Sequence, residues 1–184
     1  MHDLADGGAP ALHVPGVLLT GLPSSGKSTL AAATEQALQQ RGIDCHVLDG
    51  DELRARIPPA LGFSHEDRSH QFARALFVAE ILSAHRVIPI LALVAPFADD
   101  RDGARRRFAH AGWIEVFLDP PHDVCLARDS RGLYEKLNAQ GGPGLIEAEV
   151  TGLYEPPRAP TLRIDTARVD VERATAAVLE RLGV

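Results

Sequence analysis

The chain is poor in several residues that would otherwise direct its reading. In 184 residues it holds two cysteines, one methionine, one tryptophan and two tyrosines, and aromatic residues make up 5% of it. Cys45 and Cys125 each sit in an apolar context and read as buried free thiols, and no Cys/His spacing supports a metal centre. No apolar run approaches the about 20 residues needed to span a bilayer. The stretch from Met1 to Pro15 lacks the basic-then-apolar layout of a secretory signal, so the expected compartment is the cytoplasm. An excess of positive charge is missing too: the net charge of −6 argues against a general nucleic-acid binder. Internal repeats and low-complexity segments are absent. What is present, 45% hydrophobic and 24% charged residues, is ordinary for a globular protein, and the length suits one domain. Residues 1–13, rich in Gly, Ala and Asp without periodicity, read as a flexible tail ahead of a domain over 14–184.

The chain is organised around Gly21-Leu22-Pro23-Ser24-Ser25-Gly26-Lys27-Ser28, followed by Thr29, which fits G-x-x-x-x-G-K-[ST]. Its setting matches the pattern: an apolar strand over Val14 to Thr20 precedes it, and an Ala/Leu/Gln-rich helix over Ser28 to Arg41 follows. Gly21 and Gly26 let the backbone curl so that N–H groups point at phosphate oxygens. The helix start adds its positive dipole end, Lys27 reaches the β- and γ-phosphates, and Ser28 offers a hydroxyl to Mg²⁺. The stretch therefore implies a site for a nucleoside triphosphate.

Further along, Ile43 to Leu48 reads as a second strand, and Ser64 as the cap of a short helical piece. Gln71 to His85 reads as a helix burying Phe72, Leu76, Ala79, Ile81 and Leu82, and Val87 to Val94 as a strand covered on both faces. A basic helix is expected over Asp99 to Ala111, strands over Trp113 to Leu118 and Leu162 to Asp165, a short helix over 122–128, and a closing helix over Val171 to Leu182. Alternating strands and helices imply an α/β fold with a mainly parallel sheet, and ligands of such sheets bind at the carboxyl ends of the strands.

Strand three ends in Ala95-Pro96 without a carboxylate, whereas strand two ends in Asp49-Gly50-Asp51. Gly50 permits a sharp turn that aims both carboxylates at one cleft. Asp51 is the candidate to accept or position the proton of a substrate hydroxyl. Asp49 either supports Mg²⁺ through water or braces the loop. The bland alternative for this run is an Asx-type turn. Arg54, Arg68 and Arg101 near strand ends suit an anionic acceptor, while Arg74 and the Arg105–Arg107 run read as surface ion pairs.

Together these residues resemble the adenylyl-sulfate kinases, which phosphorylate the 3′-hydroxyl of adenosine 5′-phosphosulfate (APS) with ATP and Mg²⁺. The resemblance runs from about Val17 to Thr166. It rests on the phosphate loop, Leu48-Asp49-Gly50-Asp51 with Arg54, Leu61-Gly62-Phe63-Ser64 with Asp67-Arg68, Pro96-Phe97 with Asp100-Arg101-Asp102, and Arg128-Asp129 with Gly132-Leu133-Tyr134. It implies a P-loop NTPase-type three-layer α/β/α fold and a lid segment over about 129–157. It also implies Asp51 as the catalytic carboxylate and Arg54 and Arg68 as a grip on the phosphosulfate. Phe63 would stack on the acceptor adenine, Gln71 and the backbone of Val94 and Ala95 would line the pocket, and Arg128 would lie near the ATP adenine. A homodimer is part of the same expectation. The departures concentrate on the acceptor side: Gln71 stands where the family carries Asn, Ala95 where it carries Ser, and Gly141 to Gly152 lacks the usual Lys and Phe while adding Glu147 and Glu149. Two other readings stay open, a kinase of the same kind acting on another small-molecule alcohol and a nucleotide-binding module without turnover. A switch GTPase is disfavoured by the absence of N-K-x-D and of D-x-x-G after strand three.

Overall fold

A computed structural model of the chain describes residues 12–59, 61, 62, 64–129 and 153–184. Among them the order is β1 (Gly16–Thr20), α1 (Lys27–Gln39), β2 (Cys45–Asp49), α2 (Gly50–Arg56), α3 (His65–Ala84), β3 (Ile88–Ala92), α4 (Ala98–Arg107), β4 (Trp113–Leu118), α5 (His122–Ala127), β5 (Leu162–Ile164) and α6 (Val171–Leu182). The expected tail lies outside the described residues up to residue 11, and the expected lid lies outside them between 130 and 152.

The strands form one parallel sheet in the order β2-β3-β1-β4-β5. β1 is central, and Val17, Leu18 and Leu19 are wholly buried. Successive strand residues point to opposite faces, so this run feeds two cores. Val17 and Leu19 join Leu30, Ala31 and Leu38 of α1 and Val178 and Leu179 of α6. Leu18 joins Phe72, Ala75, Leu76 and Ala79 of α3 together with Ala104 and Phe108. Helices therefore cover both faces, giving three α/β/α layers, and the continuous apolar character of the central strands has its cause there.

α1 begins after Gly26 in the left-handed region (φ 100°) and ends before Gly42 (φ 70°), where the Ile43 N–H closes onto the Leu38 carbonyl at 3.0 Å. α3 departs from the expectation. Ser64 caps it, accepting the Asp67 N–H at 3.1 Å, but the helix then runs unbroken for 20 residues rather than as two pieces. Its first turns carry Arg68 and Gln71 to a cleft instead of apolar residues to the sheet, so they lack the apolar period. Ile81 is 41% exposed and not part of the core. β3 ends at Ala92, two residues earlier than expected, because the chain turns away at Ala95 (φ 45°). Cys125 is buried and Cys45 half-buried, both as free thiols. Burial, helped by Glu35 and Asp44, pushes the Cys45 thiol up to about 11. No helix among the described residues is long and apolar enough to cross a membrane.

Candidate active site

The phosphate loop joins β1 to α1 at the carboxyl end of the sheet. Gly21 (φ 145°) is required twice over, by its backbone and because a Cβ there would fall 2.4 Å from the Leu118 carbonyl oxygen. Ser24 also adopts positive φ (60°), and the Ser25 N–H closes the turn onto the Leu22 carbonyl at 3.2 Å. The Ser25 hydroxyl is fully buried and has no hydrogen-bond partner among the described residues. Lys27 folds back on its own loop, its Nζ donating to the Gly21 carbonyl at 3.0 Å and the Leu22 carbonyl at 2.7 Å. Burial holds its pKa down to about 8, against the raising influence of Cys125, Asp49 and Asp51.

β2 delivers the acidic pair to the same place. Asp49 caps α2: its Oδ1 accepts the Asp51 N–H at 2.9 Å, and its Oδ2 accepts the Ser28 hydroxyl at 2.8 Å. Gly50, expected to permit a sharp turn, is the first residue of α2, and Asp49 and Asp51 on either side of it both line the cleft. A side chain at Gly50 would be tight, its Cβ 3.0 Å from Leu93 Cδ2, so Leu93 would have to shift by a few tenths of an ångström. Ser28 and Asp49 thus present two hard oxygen ligands side by side, which fits Mg²⁺. Among the described residues no group of three His, Cys, Asp or Glu side chains could hold a metal alone, so a cation here would share its coordination with phosphate and water.

A cleft of about 720 Å³ opens over these groups. Ser24, Gly26, Lys27, Ser28, Thr29, Asp49 and Asp51 line its floor, Arg54, Arg68, Gln71, Val94 and Ala95 one wall, and Arg128 the far rim, while Gly21 and Ser25 lie behind the lining. Phe63 falls outside the described residues. Arg54 also braces the neighbouring loop, donating from Nη1 to the Leu61 and Gly62 carbonyls at 2.8 Å each. Gln71 is 5% exposed, and neither its amide oxygen nor its nitrogen has a partner among the described residues. A buried amide in that condition costs about 1–3 kcal/mol unless something pairs with it.

Arg101 does not belong to this set. It is 2% exposed, paired with Glu115 at 3.1 Å, and donates to the Ala95 carbonyl at 2.6 Å. A guanidinium whose donors are all directed at protein cannot grip an acceptor. Arg74 holds the Ile57 and Pro59 carbonyls, Arg105 pairs with Asp102 and Glu115, and Arg107 pairs with Glu80, as structural arginines do.

Around Arg128, which the sequence reading did name, the structure adds residues that this reading passed over. Arg128 donates from Nη1 and Nη2 to the Thr166 hydroxyl and carbonyl at 2.9 Å each, and the Thr166 hydroxyl donates to the Ser25 carbonyl at 2.9 Å. Thr166 therefore ties the rim to the phosphate loop, and Val169, Val171 and Ala174 supply apolar lining beside it. Thr166 follows β5, where the carboxyl-end rule could have found it. The apolar residues carry no signal of their own.

The adenylylsulphate kinase family model matches residues 14–165. An adenylyl-sulfate kinase of Geotalea uraniireducens (strain Rf4) is 40% identical over 166 residues, covering 89% of this chain and 77% of the relative. That of Saccharomyces cerevisiae is 39% identical over 171 residues, covering 90% and 82%. The Mycobacterium tuberculosis APS kinase CysC, solved in complex with AMPPNP and APS, superposes with a TM-score of 0.82 at 34% identity, covering 95% of this chain and 100% of that one. On the extent of these matches, the chain belongs to the adenylylsulphate kinase family.

Proposed function

We propose that this chain transfers the γ-phosphoryl group of ATP to the 3′-hydroxyl of adenosine 5′-phosphosulfate, giving 3′-phosphoadenosine 5′-phosphosulfate. The observation that carries the reading is the single cleft with a phosphate loop on its floor and Asp51, Arg54, Arg68 and Gln71 beside it. It has room and chemistry for two anionic nucleotides end to end, the pair of ligand kinds with which the Mycobacterium relative was solved.

The loop N–H groups and Lys27 hold the donor phosphates, and the Lys27 ammonium leaves the Gly21 and Leu22 carbonyls to do so. Arg128 and Thr166 frame the donor base. Ser28 and Asp49 would hold Mg²⁺, which would neutralise charge on the phosphates. Arg54 and Arg68 orient the acceptor's phosphosulfate, and Gln71 pairs its idle amide with the acceptor. Asp51 holds the acceptor hydroxyl and takes its proton, so that the oxygen points in line at the γ-phosphorus. The reading includes one catalytic domain over 14–184 with a lid over about 129–157, whose returning end at Tyr154 and Glu155 is hydrogen-bonded to the body, a homodimer, and a cytoplasmic location.

The test is ADP release from ATP and Mg²⁺ with and without APS, with the product identified by mass. Strong stimulation and a 3′-phosphorylated product are expected. Ala95 and Gln71, which replace the Ser and Asn of the resemblance on the acceptor wall, favour one second reading, another small-molecule alcohol as acceptor. ATP binding without stimulation by APS would select it.

A further inference from the structure

β3 ends at Ala92, the Leu93 N–H still donates to the Leu19 carbonyl of β1 at 3.1 Å, and Val94 to Pro96 then leave the sheet as part of the acceptor wall. The carbonyls of Val94, Ala95 and Pro96 find their partners behind the wall. The Thr20 hydroxyl donates to the Val94 carbonyl at 2.5 Å. Thr20 Oγ1 lies 3.0 Å from the Tyr154 hydroxyl, and since its own proton is committed to Val94, Tyr154 is the donor in that contact. Arg101 donates from Nη1 to the Ala95 carbonyl at 2.6 Å and from Nη2 to the Glu155 carbonyl at 2.5 Å, while Nε holds Glu115. The Glu155 N–H donates to the Pro96 carbonyl at 2.9 Å, and its carboxylate accepts the Ala98 N–H at 2.7 Å. Thr20, Arg101, Tyr154 and Glu155 do not line the cleft.

The wall needs such restraint. Ala95 holds φ 45°, a left-handed conformation that costs an ordinary residue about 1–2 kcal/mol and persists only where surroundings enforce it. Arg101 and Glu115, 2% and 1% exposed, are an expensive pair to bury, and stability alone is a weak reason for one. Their placement gives a better reason. One guanidinium joins β4, the wall, and the chain where it re-enters at 154–155.

We propose that Arg101, Tyr154 and Glu155 are a positioning set that fixes the Val94–Pro96 wall and so governs how the acceptor, but not ATP, is held. This rests on the acceptor reading given above. The set touches neither substrate; it acts through the main chain of three wall residues, and a displacement of the order of 1 Å in such a wall is enough to lower turnover severely.

The experiment compares Tyr154→Phe, Glu155→Ala and Glu155→Gln with the wild type, varying APS and ATP separately, and follows amide hydrogen exchange of residues 93–98 in the same proteins. Phe removes only the hydroxyl link, and the Gln amide oxygen still accepts the Ala98 N–H. Tyr154→Phe and Glu155→Ala are expected to raise the KM for APS about threefold to tenfold with the KM for ATP within about twofold, and Glu155→Gln to restore it. Exchange should quicken at 93–98 and stay unchanged in β1 and α1. Equal changes in both KM values, or none in either, would overturn the proposal. If the wild type does not use APS, the acceptor reading fails by itself. Exchange then decides: quickening confined to 93–98 supports the positioning set, and unchanged exchange overturns it.

Discussion

The donor and acceptor halves of the cleft are built in different ways. On the proposed reading the phosphate site of the donor half comes from one continuous run, Gly21 to Thr29, with loop N–H groups set by backbone conformation at Gly21, Ser24 and Gly26, and Arg128 and Thr166 close its rim. The acceptor half is assembled from side chains on α2 and α3 and from the loop after β3; Arg54 is braced close by in sequence, on Leu61 and Gly62, whereas the loop is held by Thr20 and Glu155 from far away. A site made of backbone tolerates little substitution at its glycines. A site made of separated side chains can change one residue at a time, and it is there that this chain departs from the resemblance, at Gln71 and Ala95.

The comparison can be broken most decisively at the acidic residue between the halves. Asp51→Ala should lower turnover by about 10²- to 10⁴-fold, the range for losing a positioned proton acceptor, while binding of a fluorescent ATP analogue stays within about twofold. Lys27→Ala should lose both. If Asp51→Ala weakened ATP binding as much as turnover, Asp51 would belong to the donor half and the division would fail.

Gln71 offers a test with two opposite signs. Its amide is buried and unpartnered in the absence of acceptor, so Gln71→Leu should stabilise the ligand-free protein by about 1–3 kcal/mol in denaturant unfolding. The same change should raise the KM for the acceptor about tenfold, because the acceptor would lose the amide that pairs with it on the proposed reading. A loss of stability with the KM unchanged would make Gln71 an ordinary core residue.

How much of this was legible in the sequence follows the same division. β4 and α6 fall where the sequence puts them, Trp113–Leu118 and Val171–Leu182, because burial on both faces and a clean helical period are local signals. The phosphate loop is legible for the same reason. Arg101 was not: a guanidinium after a strand has the same sequence signature whether it faces a ligand or Glu115, and only the parallel pairing of β1 with β4 brings Glu115 underneath it. The long run of α3 was obscured because its first turns face the cleft, so hydrophobic periodicity fails where function begins. Thr166 had only its place after β5 to mark it.

Within the donor half, Lys27 predicts a pH dependence. Burial holds its pKa down to about 8, so above pH 8 the side chain is largely neutral before ATP binds. Bound phosphates favour the ammonium, so binding at pH 9 should take up close to one proton and binding at pH 7 almost none. Affinity should then fall with rising pH above 8, by at most about tenfold per unit. Calorimetry in two buffers of different ionisation enthalpy measures the uptake directly. No uptake at pH 9 would mean that the ammonium stays charged on the Gly21 and Leu22 carbonyls without ATP.

The smallest effect is expected at the rim. Thr166→Val keeps the shape of the side chain and removes the hydroxyl that joins Arg128 to the Ser25 carbonyl. The Thr166 carbonyl still accepts from Arg128 Nη2, so the rim loses two of its three hydrogen bonds, those with Arg128 Nη1 and the Ser25 carbonyl, and keeps the third. A hydrogen bond of this kind contributes about 0.5–1.5 kcal/mol, which predicts a KM for ATP raised about twofold to tenfold with the KM for APS unchanged. The variant is the mirror of Tyr154→Phe, each removing one hydroxyl behind one half of the cleft. Opposite selectivity in the two would establish that the halves are braced independently, whereas a shared loss for both substrates would show that Ser25 and Val94 move as one body through β1.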